Sequence, residues 1–212
     1  MHDIVIIGGG GHAKVIISIL LKNRNYRIIG YTDLYNNGDI LNIQYIGNDD
    51  VLRQVIIDNP STSATIGLGM IKTSDAQKRK QVFELIRSLG FELSPVLSLN
   101  AIIDSDVSMG EATVAMSGVV VNCGTTIGKS VILNTNCSID HDCNIGDFTH
   151  IAPGVTISGG VTVGENVLIG VGSVVIEYKA IADNVIIGAG AVVTRDIIEA
   201  GVYAGIPAKR IK

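Results

Sequence analysis

The chain lacks most of the features that mark secreted, membrane-spanning or nucleic-acid-binding proteins. It has three cysteines in 212 residues and no CxxC pair, which excludes a disulfide framework and suits a reducing cytoplasm. Its formal charge is −4 and it has no extended basic cluster, so the electrostatic footprint of a nucleic-acid partner is missing. No apolar run approaches the roughly 20 residues of a membrane span. Met1-His2-Asp3 leads straight into Ile4-Val5-Ile6-Ile7 without a basic leader or cleavage site, so the start reads as a first strand and not as a signal peptide. Of four histidines only His141 and His150 lie in the C-terminal half. An open zinc site there would want three, so no metal is expected.

What the chain does have is a register. From Ile103 an aliphatic residue recurs at every sixth position, through Met109, Ala115, Val121, Ile127 and on to Val193, without an insertion or deletion. Four residues after each stands a small or β-branched one, among them Val107, Thr113, Val119, Thr125, Cys137 and Cys143, and glycine often follows the aliphatic residue directly, as at Gly128 and Gly146. Neither a helix nor an ordinary strand produces strict sixes, whereas a coil of three short strands and three turns does. The sixteen hexads predict a little over five stacked coils of a parallel β-helix. Cys137 and Cys143 fall in the small inward slot and are expected in the core; Cys123 falls elsewhere and has no assigned place. Val114, Val120, Ile132, Leu168 and Val174 take outward positions, which predicts that the flat faces pair around a threefold axis in a homotrimer.

Residues 1–95 alternate strand and helix signals. Strands are expected at 4–7, 27–31 and 64–68, with helices at 12–22, 48–58 and 74–88. This is a half-sized Rossmann-like unit with a small parallel sheet. Residues 91–99, with Pro95, read as the joint to a second domain at 96–212, whose tail leaves the register after about Asp196.

Between the first strand and helix, Gly8-Gly9-Gly10-Gly11-His12-Ala13 satisfies G-x-G-x-x-A in the context the motif needs. Glycines let the backbone approach a diphosphate, and a helix N-terminus supplies free N–H groups. Asp33, past the second strand, can take a ribose or base group. A tight turn without a ligand is the plain alternative. A full dinucleotide such as NAD fits less well, because the unit is about half the size of a dinucleotide fold.

In the repeat, His141 is third in its hexad and His150 last, so both should lie on the surface. A lone surface histidine is usually just solvated. His141, however, stands between Asp140 and Asp142, and a carboxylate partner fixes an imidazole's tautomer and raises its basicity.

Taken together, the glycine loop, the segment Ile139-Asp140-His141-Asp142-Cys143-Asn144-Ile145-Gly146-Asp147-Phe148-Thr149-His150 and the Gly-Ile-Pro-Ala-Lys ending resemble the hexapeptide-repeat sugar O- and N-acyltransferases, typified by the sialic acid O-acetyltransferase and the bacillosamine-pathway N-acetyltransferase. The resemblance covers essentially the whole chain. It implies a left-handed β-helix, although parallel crossovers are right-handed in about 98% of cases. It also implies a trimer with acetyl-coenzyme A as co-substrate in a groove between solenoids, and a nucleotide-linked amino sugar on the N-terminal domain. Matched residue by residue, His141 would be the general base and Asp142 the acid that raises its basicity. His150, Val171 and Ala189 would contact the coenzyme, with Ala189 replacing what is often glycine. Gly10, Gly11, His12, Asp33 and Gly69 would hold the sugar nucleotide. The expected reaction is direct transfer to the amine of a nucleotide-linked 4-amino-dideoxy sugar, with a backbone N–H or His150 facing the oxyanion and no acyl-enzyme. O-acetylation of a sialic-acid-type sugar, an NAD-dependent oxidoreductase and a non-catalytic nucleotide-sugar binder are the alternatives.

Overall fold

A computed structural model describes all 212 residues. The N-terminal unit runs β1 (His2–Ile7), α1 (Gly11–Lys22), β2 (Tyr26–Thr32), β3 (Tyr45–Gly47), α2 (Leu52–Asp58), β4 (Ser63–Ile66) and α3 (Thr73–Ser88). Its four strands are parallel in the order β3-β2-β1-β4. Ile4 to Ile7 and Ser63 to Ile66 are buried throughout, as central strands covered on both faces should be.

Three boundaries differ from the sequence expectation. The three-residue β3, which pairs with Tyr31 and Thr32, is too short to carry a periodic signal. The expected helix at 48–58 opens as a 3₁₀ turn over Asp49–Val51, where the Asn48 side chain accepts from the Asp50 N–H, and becomes α-helical at Leu52. β4 stops at Ile66, and residues 67–69 turn away to line a cleft. The start of α3 is held by Asp75, whose Oδ2 accepts from the Ile71 and Lys72 N–H groups at 3.0 and 3.2 Å.

The solenoid begins one hexad earlier than expected, with Val96–Leu97 pairing to Val114–Ala115. From Ile102–Ile103 to Val174–Val175 every rung pairs in parallel with the one 18 residues on, as in Ile132–Leu133 with His150–Ile151, so each coil is three hexads. The inward aliphatics and small residues are buried from Thr113 to Ser173. Hydroxyls in this apolar tube need partners, and they have them: Thr113, Thr149 and Ser173 donate to the carbonyls of Gly128, Gly164 and Gly188 at 2.8 to 2.9 Å.

The corners carry a second six-residue series. Ala112, Gly118, Gly124, Ser130, Asn136, Asp142, Phe148, Gly154, Gly160, Asn166, Gly172, Tyr178, Asn184 and Gly190 all have positive φ. Glycine adopts this left-handed conformation freely and Asn or Asp at modest cost; other side chains pay roughly 1–2 kcal/mol. Asp142 is one of these corner residues, at φ 59°. The tail leaves the 18-residue register as expected, yet it stays paired: Ile187 meets Tyr203, 16 residues on, and Tyr203 in turn pairs antiparallel with Arg210.

The N-terminal unit lies against the solenoid sheet that holds Val96, Val114, Ile132 and His150. Phe83 of α3 meets Phe148 edge-on at 5.7 Å, Arg79 reaches Ser130, and His150 reaches Met70. This corrects two expectations. Val114 and Ile132 are fully buried within the chain, worth roughly 1.5–3 kcal/mol each, and are not free for a partner. Val120, Leu168 and Val174 remain partly exposed. His150 is likewise buried, at 9% exposure, because the hexad places it on the covered sheet.

Candidate active site

The glycine loop forms one wall of a cleft of about 410 Å³, lined by Gly8 to His12, Asp33, Gly67 to Gly69, Ile71, Asp75 and Lys78. Gly10, Gly11, His12, Asp33 and Gly69 thus come together as expected. A Cβ on Gly10 or Gly11 would meet nothing within 4 Å, so larger side chains there would project into open space. Gly9 is different: a Cβ would strike the Tyr31 ring at 2.4 Å. Asp33 is engaged with the loop itself, its Oδ2 accepting from the Gly9 N–H at 2.7 Å and its Oδ1 from the Leu34 N–H at 2.6 Å. It therefore shapes the loop as well as facing the cleft. His12 is half-buried with an enclosed, unpartnered Nε2. Burial, with the Arg79 and His150 charges adding, pushes it down to about 3, so its ring is neutral.

His141 stands on a solenoid corner with its side chain 47% exposed, as expected. Its Nδ1 donates to Asp142 Oδ2 at 2.7 Å. That bond, helped by the charges of Asp140 and Asp142, holds the imidazole above its ordinary value against a smaller desolvation effect. The left-handed corner conformation at Asp142 accompanies this one-residue reach. Asp140 does another job: its Oδ1 accepts from the His141 N–H at 2.8 Å and from Asn122 Nδ2 at 2.7 Å, one coil below. One coil above, a Cβ on Gly159 would lie 2.6 Å from His141 Nε2, so the ring rests on glycine. Asn122 and Gly159 could have been found by reading the sequence at intervals of 18.

His150 has the opposite surroundings. Its Nδ1 donates to the Met70 carbonyl at 2.7 Å and its Nε2 accepts from Asn134 Nδ2 at 3.0 Å. The Asn134 amide orientation follows from its Oδ1, which accepts the Thr135 N–H at 2.8 Å. Burial is the main cause that lowers His150 to about 4; the Met70 carbonyl opposes it and the Arg79 charge adds to it. The ring is neutral with its single N–H already used, so it offers no donor to an oxyanion. Val171 and Ala189 are exposed and stack 18 residues apart at the corner following the His150 sheet, where the Gly190 N–H bonds the Val171 carbonyl.

The structure does not bring all the expected residues together in one chain. His141 and His150 are nine residues apart, half of an 18-residue coil, and so project from opposite sides of the prism. His12, Met70 and the cleft lie on the His150 side. The two core cysteines are poor nucleophiles: burial pushes the Cys137 thiol up to about 12 and raises Cys143, whose Sγ donates to the Ser158 carbonyl. Cys123 is exposed one coil below His141. No group of three or more His, Cys, Asp or Glu side chains lies together, and no helix is long and apolar enough to cross a membrane.

Comparison with known proteins decides the family. Residues 3–86 match the PglD N-terminal domain and residues 142–177 the bacterial transferase hexapeptide repeat. The structure of PerB from Caulobacter crescentus, solved with CoA and GDP-perosamine, is 33% identical over 100% of this chain and 98% of its own, with a TM-score of 0.91. The chain belongs to the hexapeptide-repeat sugar acyltransferases. A second relative, the acetyltransferase domain of PglB from Neisseria gonorrhoeae in complex with acetyl coenzyme A, is 30% identical over 99% of each chain, with a TM-score of 0.91. WeeI from Acinetobacter baumannii shares the fold at 21% identity over 100% of each chain and a TM-score of 0.85. A comparison with curated proteins finds no significant match. The solenoid of this acyltransferase is accordingly a left-handed β-helix, as the resemblance implied.

Proposed function

We propose that the chain transfers the acetyl group of acetyl-coenzyme A to the amine of a nucleotide-linked 4-amino-dideoxy sugar, in a cyclic trimer whose sites lie between subunits. The observation that carries this reading is the His141–Asp142 pair at 2.7 Å, with Nε2 free of any hydrogen bond on an exposed edge. An imidazole made more basic by a carboxylate, with its second nitrogen open, is built to remove a proton from an attacking nucleophile. His141 Nε2 takes the proton as the amine nitrogen attacks the thioester carbonyl, and Asp142 stabilises the imidazolium. Collapse of the tetrahedral adduct breaks the C–S bond, and the leaving thiolate takes that proton. Such general-base help is worth roughly 10²- to 10⁴-fold. The oxyanion falls to a backbone N–H, since the one N–H of His150 is bound to Met70.

Labour divides along the chain. Residues 1–95 hold the sugar nucleotide, with Gly10, Gly11, His12, Asp33 and Gly69 around the cleft. Residues 96–212 carry the transfer, with the coenzyme along His150, Val171 and Ala189. His141 and the cleft sit on opposite sides of one prism, so a neighbouring solenoid must supply the His141 edge to each cleft. The partly exposed Val120, Leu168 and Val174 are apolar surface for that contact. The acceptor is read as an amine because PerB and the PglB domain, which share the whole architecture, carry perosamine N-acetyltransferase and acetyltransferase names.

A panel of UDP-, GDP-, dTDP- and CMP-linked amino sugars with acetyl-coenzyme A tests this, scored by thiol release and product mass. One nucleotide sugar should gain 42 mass units, about one acetyl group, in an amide stable to mild base. A base-labile ester, or no turnover across the panel, would overturn the reading.

A further inference from the structure

Arg79 is the one fully buried cation of the chain, at 0% exposure, and no carboxylate is bonded to it. One guanidinium nitrogen donates to the Leu68 carbonyl, the other to the Ser130 carbonyl at 2.9 Å and hydroxyl at 2.8 Å, and Nε has no partner. A buried charge without a counter-charge is costly, and helix α3 could have packed here with an apolar residue. Its three acceptors show what the charge holds in place. Leu68 lines the nucleotide cleft, and two residues on, the Met70 carbonyl fixes the tautomer of His150. Ser130 is a left-handed corner of the solenoid. The Leu68–Met70 segment is therefore pinned to the solenoid at two points, through Arg79 and through His150.

We infer, resting on the acyl transfer proposed above, that Arg79 is a positioning residue coupling the two half-sites: by tying the Leu68 carbonyl to Ser130 it sets one wall of the acceptor cleft and, through Met70, the orientation of His150. The groups that face His150 are Met70 from the segment after β4, Arg79 from α3, His12 from α1 and Asn134 from the coil below. Only Arg79 touches both the segment and the solenoid through hydrogen bonds of its own. Lysine cannot reproduce this fork, because a single ammonium does not span the Leu68 carbonyl and the paired Ser130 oxygens in one plane.

The test compares wild type, Arg79→Met, Arg79→Lys and Ser130→Ala by steady-state kinetics on the nucleotide sugar that wild type acetylates. Long-range 1H–15N spectra of the histidines are recorded alongside, with His150 assigned by its loss in His150→Gln. Arg79→Met and Arg79→Lys should both lose at least about tenfold in kcat/KM for the sugar nucleotide. The KM for acetyl-coenzyme A should change less, and His150 should lose its predominance of the Nδ1–H tautomer. A role in stability alone would lower the melting temperature and leave the tautomer and the kcat/KM ratio of the folded enzyme unchanged; that result, or full rescue by lysine, overturns the inference. If the Arg79 variants do not fold, Ser130→Ala decides, since it removes one of the solenoid acceptors and should shift kcat/KM for the sugar nucleotide about twofold to fivefold. An unchanged value contradicts the coupling. Should wild type turn over no nucleotide sugar, the proposed function fails on its own, and the His150 tautomer still reads the effect of Arg79.

Discussion

His141 and His150 belong to one solenoid and one six-residue register, yet their environments are opposed. His141 stands on an open corner beside a carboxylate that raises its basicity. His150 lies under the N-terminal unit, bonded to a backbone carbonyl and an amide, and is held neutral down to about pH 4. The repeat alone makes both outward-facing, one at a corner and one on a strand. The difference comes from what covers the sheet, and it separates a group that can accept a proton from one that can only hold a position.

The largest effect that sharpens this contrast is on turnover. His141→Ala should cut kcat by at least about 10²-fold, with coenzyme affinity and melting temperature nearly unchanged, because the side chain is exposed. Retention of more than half the activity would remove His141 from the chemistry. His150→Ala should do the reverse in a melting experiment. It leaves the Met70 carbonyl and the Asn134 amide short of a partner, a loss of roughly 1–3 kcal/mol, or several degrees for a chain of this size. An unmoved melting curve would show that the cover over His150 opens freely.

A smaller effect separates the carboxylate from the ring. Asp142→Asn keeps a residue that tolerates the left-handed corner, so the fold should persist. Exchanging the charged acceptor for a neutral amide should move the acidic limb of the kcat/KM profile down toward an ordinary imidazole value, with a rate loss of roughly tenfold. A limb that stays where it was would mean that another group titrates.

The last effect concerns pH and stability. His12 and His150 have folded-state values of about 3 and about 4, below the unfolded value near 6.5. The unfolded chain therefore binds more protons between those limits, and stability must fall as pH drops from about 6.5 toward 4. Melting temperatures across that range check the sign, and His150→Gln should flatten part of the slope. A flat wild-type curve would place both rings in water.

The two modules differ in how far their sequences disclosed them. Strict sixes fix the solenoid because each coil must bury the same face, and His141 beside Asp142 was legible from adjacency alone. The first rung, Val96–Leu97, carries no clear six-residue signal because it lies within the joint between the two modules. β3 is too short to show a period. His150, Val114 and Ile132 look like surface positions in the sequence, yet they are buried, because periodicity gives the direction of a side chain and not what lies beyond it. Arg79 is invisible to pattern reading: in α3 it looks like one more charge among Lys78 and Lys80. Its burial follows only from how the helix docks on Ser130.

The central claim is that His141 of one chain serves the cleft of another. Subunit complementation tests it most directly. His141→Ala lacks the base and Gly10→Phe blocks the cleft, so each protein alone should be nearly inactive. Co-refolded at equal amounts, random cyclic assembly pairs an intact His141 with an intact cleft at about a quarter of the interfaces. The mixture should therefore recover about a quarter of wild-type activity, whereas a site built within one chain would leave it as inactive as its parts.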